Sequence, residues 1–186
     1  MGEIHLKLRR NLYGGLISLI LLVLSFYLPM PERISASHST FLLYRDGIPA
    51  HVFLASDDRW RIEAQLENID PIYVDTLLGI EDKRFFIHQG FDPISISRAI
   101  VQNISSFEIV SGASTITMQL VRVLEPRPRN IFSKFIEAWR AMQLEYFFSK
   151  EEILEMYLTF IPFGRNIEGI EAGSLAYFGH RPNQLE

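Results

Sequence analysis

Residues 11–31, NLYGGLISLILLVLSFYLPMP, carry no charged side chain, and as a helix rising about 1.5 Å per residue they would span about 30 Å, the thickness of a bilayer's hydrocarbon core. The run has no polar stripe, which argues against a helix buried in a soluble core. Lys7, Arg9 and Arg10 stand just before it and only Glu32 and Arg33 follow closely, so the positive-inside rule places the N-terminus in the cytoplasm and the rest outside. A cleaved signal peptide is the rival. The run exceeds the usual length of such a segment, however, and Leu28-Pro-Met-Pro-Glu-Arg33 has no small-x-small cleavage site. The sequence therefore predicts a cytoplasmic N-terminus over 1–10 and an uncleaved transmembrane helix over 11–31.

What remains of the 186 residues suffices for one globular domain. A hydrophobic content of 48% and a net charge of -4 exclude a disordered acidic chain and give no reason to expect nucleic acid as a partner. There is no cysteine, which removes disulfides, thiolate metal sites and a cysteine nucleophile. His5, His38, His51 and His180 are scattered without metal-ligand spacing.

Residues 32–70 alternate short apolar runs, Phe41–Tyr44 and His51–Leu54, with turn signals at Asp46-Gly47 and Asp57-Asp58, and read as a linker with short strands or a hairpin. From 71 onward the period becomes helical. Asp75 is a plausible N-cap for a helix that runs through Ile80 to Phe86, with Gly90 as its C-terminal stop. Asp92-Pro93 opens the next helix, to Ile104, with the cap oxygen and the first-turn proline in their usual order. Ser111-Gly-Ala-Ser-Thr115 leads to a third helix near Ser114, through Ile116 to Leu124. Lys134 to Phe148 puts Phe135, Trp139, Met142 and Tyr146 on one stripe, and Ser149-Lys-Glu-Glu152 is a capping box before a helix halted by Pro162. The fold class is mostly α.

Three features could carry chemistry. Glu81-Asp-Lys-Arg84, with His88, packs two carboxylates and three basic groups into eight residues. As a helix it aligns Glu81 with Arg84 and His88 and turns Asp82 away by about 100°. Glu81 could then take a proton from a sugar hydroxyl, with Arg84 keeping it ionised; a solvated helix end is the plainer alternative. Second, Arg122, Arg127, Arg129 and Lys134 oppose the single acid Glu125, which suits a lipid phosphate or pyrophosphate, or a basic patch on anionic headgroups. Third, Glu137 lies three residues after Lys134, where it could steady a cation, orient a phosphate-bound metal, or form an ordinary surface pair.

Five stretches in order, Glu81-Asp-Lys-Arg-Phe-Phe-Ile-His-Gln-Gly90, Gly112-Ala-Ser-Thr-Ile-Thr-Met-Gln119, Lys134-Phe-Ile-Glu137, Lys150-Glu-Glu-Ile-Leu-Glu-Met-Tyr-Leu158 and Asn166-Ile-Glu-Gly-Ile-Glu-Ala-Gly-Ser-Leu-Ala-Tyr-Phe-Gly179, resemble the motifs of the family 51 peptidoglycan glycosyltransferases. The second stretch and Glu125-Pro-Arg-Pro-Arg129 look most like the penicillin-binding protein 1C branch. The resemblance implies a lysozyme-like helical glycosyltransferase domain over 71–186 with a small membrane-associated jaw. It implies polymerisation of lipid II into β-1,4 glycan strands at the outer face of the inner membrane, with inversion and release of undecaprenyl pyrophosphate. Glu81 matches the general base and Glu137 the second catalytic glutamate. Arg84, Arg122 and Lys134 match cations around the pyrophosphate, Ser114 and Gln119 match positions near the donor, and Asp82 and His88 complete the first motif. Magnesium or manganese at the pyrophosphate is the one cofactor the resemblance leaves room for. The implied partners are lipid II, the growing glycan, the bilayer, and a transpeptidase or other cell-wall protein.

The sequence departs from the family at Met118, where a second glutamine is common, at Arg122 for lysine, and at Ser133, where an arginine often precedes the lysine. No S-x-x-K or K-T-G motif is present, hence no penicillin-binding transpeptidase site. The chain stops at Gln184-Leu-Glu186 where the family continues, so a domain truncated at its C-terminus, with exposed core and poor stability, is expected. A remnant that binds lipid II or a cell-wall partner without catalysis, and a lytic transglycosylase or muramidase, are the competing readings.

Overall fold

The computed structural model describes residues 12–16, 20, 23–45, 49–106 and 114–183. The chain divides into two compact units, Met1–Met30 and Pro31–Glu186. In the first, residues 12–16, 20 and 23–25 are helical, and Leu12, Leu16, Ile20, Val23 and Leu24 are all exposed. The expected span also takes in 11, 17–19, 21 and 22, which lie outside the described residues, as does 1–10. Among the described residues no helix is long and apolar enough to cross a membrane.

The second unit is mostly helical. Its helices are α1 (Pro71–Glu81), α2 (Pro93–Ser106), α3 (Ile116–Leu124), α4 (Ile131–Phe147), α5 (Lys150–Phe160) and α6 (Ile170–Phe178). Its strands are short: β1 (Thr40–Leu43) pairs antiparallel with β2 (Pro49–Phe53), while β3 (Trp60–Arg61) runs parallel to β5 (Ile167–Glu168), whose other edge takes β4 (Pro162–Gly164). The expected turn at Asp46-Gly47 lies outside the described residues.

Helix α3 is the centre of this unit. Thr115 caps it by accepting from the Met118 N–H, and Glu125 closes it just before Pro126. Ile116, Thr117, Met118, Leu120, Val121 and Leu124 are buried against the helices on either side, α4 and α5. Burying an aliphatic side chain is worth about 1.5–3 kcal/mol, so this short helix is held mainly by its neighbours. The Ser149 capping box forms as expected, with Ser149 and Glu152 satisfying each other's backbone N–H, and Ile153, Leu154 and Leu158 become core.

Two expectations are corrected. The helix read from Asp75 to Phe86 begins at Pro71, capped by Asp70 from the Ile72 N–H, and ends at Glu81; residues 83–87 are turns. Asp70-Pro71 is the same start signal as Asp92-Pro93, and the helix stops because the Asp82 side chain is drawn inward. Helix α4 starts at Ile131, capped by Asn130, and its aromatic stripe is not its buried face. Phe135 and Tyr146 are exposed, whereas Ser133, Glu137, Arg140, Ala141, Gln143 and Leu144 are buried. The polar members of that face are tolerated because they are paired, Arg140 with Glu125 and Gln143 and Glu137 with Arg122.

The stretch read as a linker is fastened to the domain through Arg61, which is fully buried. Its guanidinium donates to Glu168 Oε2 at 2.8 and 2.6 Å, to Asp57 at 2.6 Å and to the Ser37 carbonyl at 2.8 Å. Arg33 joins from the chain entry, donating to Glu168 Oε1 at 2.5 Å and to the Val123 carbonyl at the end of α3 at 2.6 Å. Next to Glu168, Gly169 has φ of 86°, and a Cβ there would lie 2.6 Å from the Thr159 carbonyl, so only glycine lets β5 turn into α6 against the end of α5.

Candidate active site

The first motif forms a compact turn rather than a helical face. Asp82, 6% exposed, points inward. Its carboxylate meets His88 Nε2 at 3.0 and 2.8 Å and accepts from the Ile116 N–H at 3.0 Å. A carboxylate at a helix N-terminus satisfies an orphan donor and opposes the positive end of the dipole. One residue earlier in chain order, Thr115 donates to the Gly90 carbonyl at 2.6 Å. The two ends of the turn are therefore stitched to the start of α3. Gly90 itself has φ of 87° and lies against the α4 backbone, where a Cβ would sit 2.5 Å from the Met142 nitrogen.

Arg84 does not pair with Glu81. The chain leaves the helix after Glu81, so the expected three-residue helical alignment never arises, and the guanidinium instead clasps Asp92, Nε to Oδ2 at 2.9 Å and Nη2 to Oδ1. Asp92 also caps α2, accepting from the Ile94 and Ser95 N–H groups. Burial raises the Asp92 carboxyl, but Arg84 and the bonds from Ser95 outweigh it and hold the group well below the usual carboxylate range. His88, Asp82, Arg84 and Asp92 thus brace the turn.

Glu81 is left exposed at the C-terminus of α1. Its Oε2 accepts from Gln119 Nε2 at 2.9 Å, and Gln119 Oε1 accepts from the Tyr157 hydroxyl at 3.2 Å. Gln119 and Arg122 are three residues apart on α3 and so share a face. Arg122 donates through Nε and Nη2 to the two oxygens of Glu137, each at 2.9 Å, and through Nη2 to Ser114 Oγ at 3.2 Å. Lys134 Nζ, exposed, also donates to Ser114 Oγ, at 2.9 Å. Glu137 therefore steadies Arg122 from α4, not Lys134 as the local spacing suggested. Of the other basic residues read from the sequence, Arg127 is taken by Glu125 at 2.5 Å and Arg129 is exposed.

Glu81 and Gln119 thus come together, as do Ser114, Arg122, Lys134 and Glu137, with α3 carrying the link between the two groups. Asp82, Arg84 and His88 are placed beneath or beside them. Tyr157 falls within the Lys150–Leu158 motif, but its contact with Gln119 has no signal in local spacing, since the two are brought together by packing of α3 on α5. A cavity of about 340 Å³, lined in part by Ile34, Glu63, Glu155 and Phe160, contains none of these residues. Among the described residues no three carboxylate, imidazole or thiol groups gather to hold a metal ion, and Glu137 is engaged by Arg122. The divalent cation left open by the resemblance thus finds no protein cage here and enters no step below.

The sequence profile of the Transglycosylase family matches residues 47–186. The chain belongs to that family, the family 51 peptidoglycan glycosyltransferases. Within it the likeness is to penicillin-binding proteins of the 1C, 1B and 2D types. Penicillin-binding protein 1C of Escherichia coli (strain K12) is 42% identical over 157 residues, 84% of this chain and 20% of that protein. Penicillin-binding protein 1B of Haemophilus influenzae is 40% identical over 137 residues, 71% of this chain and 18% of its own length. Penicillin-binding protein 2D of Bacillus subtilis is 35% identical over 153 residues, 82% and 22% of the two chains. The chain spans about a fifth of the length of these relatives.

Proposed function

We propose that this domain polymerises lipid II into β-1,4 glycan strands, releasing undecaprenyl pyrophosphate. The observation that carries the reading is the division of labour on α3: Gln119 holds the exposed carboxylate of Glu81, and one turn on, Arg122 converges with Lys134 on Ser114. Glu81 takes the proton from the 4-hydroxyl of the acceptor GlcNAc as that oxygen bonds to C1 of the donor MurNAc. The bond from C1 to the pyrophosphate oxygen breaks with inversion, and the electron pair leaves with the pyrophosphate. Arg122 and Lys134 supply the positive charge this leaving group needs. Glu137 acts through Arg122, fixing its fork, and Ser114 spaces the two cations. Asp82, His88 and Arg84 set the turn that presents Glu81.

The same reading places the domain outside the cytoplasmic membrane, anchored by 11–31 with the N-terminus inside. In its support, the described helical pieces of that segment expose their apolar side chains. In the folded unit Ile80, Phe86 and Ile87, with Ile94, Val101 and Ile104 of α2, are exposed as well, large apolar side chains of the kind a bilayer accepts. The growing glycan is the substrate partner, and a transpeptidase or another cell-wall protein is the further partner in this reading.

The test is polymerisation of labelled lipid II by the detergent-purified chain, comparing wild type with Glu81→Gln and Glu137→Gln. Polymer from wild type and none from Glu81→Gln is the expected result. Binding of lipid II by wild type without polymer would favour the binding remnant instead, and shortening of preformed glycan would favour the lytic reading.

A further inference from the structure

A primary amide between two partners can present either its oxygen or its nitrogen to each of them. Gln119 lies in that position between Glu81 and Tyr157. The Glu81 carboxylate only accepts, so it takes the amide N–H, at 2.9 Å; the far side of the amide, Oε1, then faces Tyr157, whose hydroxyl donates to it at 3.2 Å. We propose that Tyr157 is a positioning residue for Glu81: its hydroxyl locks the Gln119 amide, so that Gln119 occupies Glu81 Oε2 and leaves Oε1 for the incoming hydroxyl. The inference rests on the reading of Glu81 as the base.

Three observations support it. Tyr157 is 7% exposed while Glu81 is exposed, so the chain Tyr157, Gln119, Glu81 runs from the core to the surface and transmits order outward. Its three members come from α5, α3 and α1, so the relay also ties three helices at one point. The tyrosine proton is secure: burial first, and then the neighbouring Glu81 carboxylate, push the hydroxyl up to about 12. It therefore remains a donor at neutral pH and well above it. Donation to the carbonyl of an amide also strengthens that amide's N–H as a donor, which favours the ionised carboxylate. Removing the hydroxyl should leave the amide free to turn, place a second acceptor against Glu81 part of the time, and leave the carboxylate less well aimed.

The experiment uses the full chain in detergent with labelled lipid II and compares wild type, Tyr157→Phe, Gln119→Ala, the double variant and Glu81→Gln. Tyr157→Phe keeps the buried ring, so its melting temperature should stay near wild type. Its turnover should fall between about 3- and 10-fold, the worth of one hydrogen bond, with KM little changed, and the acid limb of its kcat/KM profile should move to higher pH. The double variant should be no slower than Gln119→Ala alone, because both act through one amide. Losses that multiply in the double variant, or wild-type turnover and an unmoved acid limb in Tyr157→Phe, would overturn the proposal. If Tyr157→Phe melts well below wild type, the acid limb of Gln119→Ala decides, since that variant cuts the same relay from the other side; an unmoved limb there also overturns it. A Glu81→Gln chain as active as wild type would instead remove the base assignment beneath the inference.

Discussion

Arg122 meets Glu137 side-on, Nε to Oε1 and Nη2 to Oε2, both at 2.9 Å, with the glutamate side chain 6% exposed and the arginine 33%. One end of the pair is thus anchored in the domain while the other reaches the surface. The hydrogen bonds that Arg122 donates to Glu137 raise its guanidinium above its ordinary value, so the charge offered at the surface is permanent.

Removing the arginine should cost more than removing the glutamate's charge. Arg122→Ala strands a buried carboxylate and should destabilise the domain by about 3 kcal/mol, whereas Glu137→Gln should cost about 1–2 kcal/mol. Arg122→Lys keeps the charge but loses the planar fork and should fall between them. Denaturant midpoints of the three variants check the order; equal midpoints would mean that the pair is not held as described.

At Gly90 two costs coincide. The left-handed φ is strained for any L side chain, and a Cβ would lie 2.5 Å from the Met142 nitrogen and 2.6 Å from the Ala141 carbonyl carbon. These are backbone atoms and cannot rotate aside. Gly90→Ala should therefore destabilise by more than about 2 kcal/mol and, because the turn is displaced, should depress polymerisation by more than its stability loss accounts for. Thermal melts and the lipid II assay on the same preparation separate the two effects.

Asp82→Ala should behave as a structural lesion close to the site. It leaves the Ile116 N–H and His88 Nε2 without their shared acceptor in a buried place, at a cost of about 2–3 kcal/mol. Hydrogen exchange at the first turn of α3 should rise in this variant before the rest of the domain is affected.

Two acids should contribute opposite slopes to stability against pH. The Asp92 carboxyl is depressed on balance by Arg84 and Ser95, so its stabilisation is present above its unfolded pKa, about 3.8, and is lost as pH falls toward its folded value. Asp92→Asn should be less stable at neutral pH and should lose less on acidification. Glu171, 2% exposed, is raised by burial, partly offset by Arg181. Its contribution is present below about pH 4.5 and is lost as pH rises through the folded value. Glu171→Gln should thus gain stability over wild type at pH 7 to 8 and converge with it near pH 4. Urea titrations at a series of pH values test both signs.

Local chemistry was legible at two helix starts. Ser149 with Glu152, and Asp92 with Pro93, announce helix starts that form as written. Spacing failed where a side chain is claimed from far away. Asp82 is drawn to Ile116, and that ends α1 after Glu81 and releases Arg84 to Asp92. On α4 an aromatic stripe is visible in the sequence, yet Glu137 and Arg140 lie inside because Arg122 and Glu125 of the α3 end pair with them. The short parallel pairing of Trp60 with Ile167 leaves no mark in either strand alone. In the candidate site, the residue types were readable, but which cation serves which acid was set by the packing of α3 against α4.

The pairing of Arg61 with Glu168 also has a timetable. The two lie 107 residues apart, and synthesis proceeds at about 5–20 residues per second, so Arg61 is added to the chain about 5–20 s before its acid partner exists. Until then a guanidinium destined for full burial must stay in water, and the stretch from Arg33 to Arg61 has no settled place. The domain should therefore close late in its own synthesis, and a chaperone has that interval in which to act on its N-terminal part.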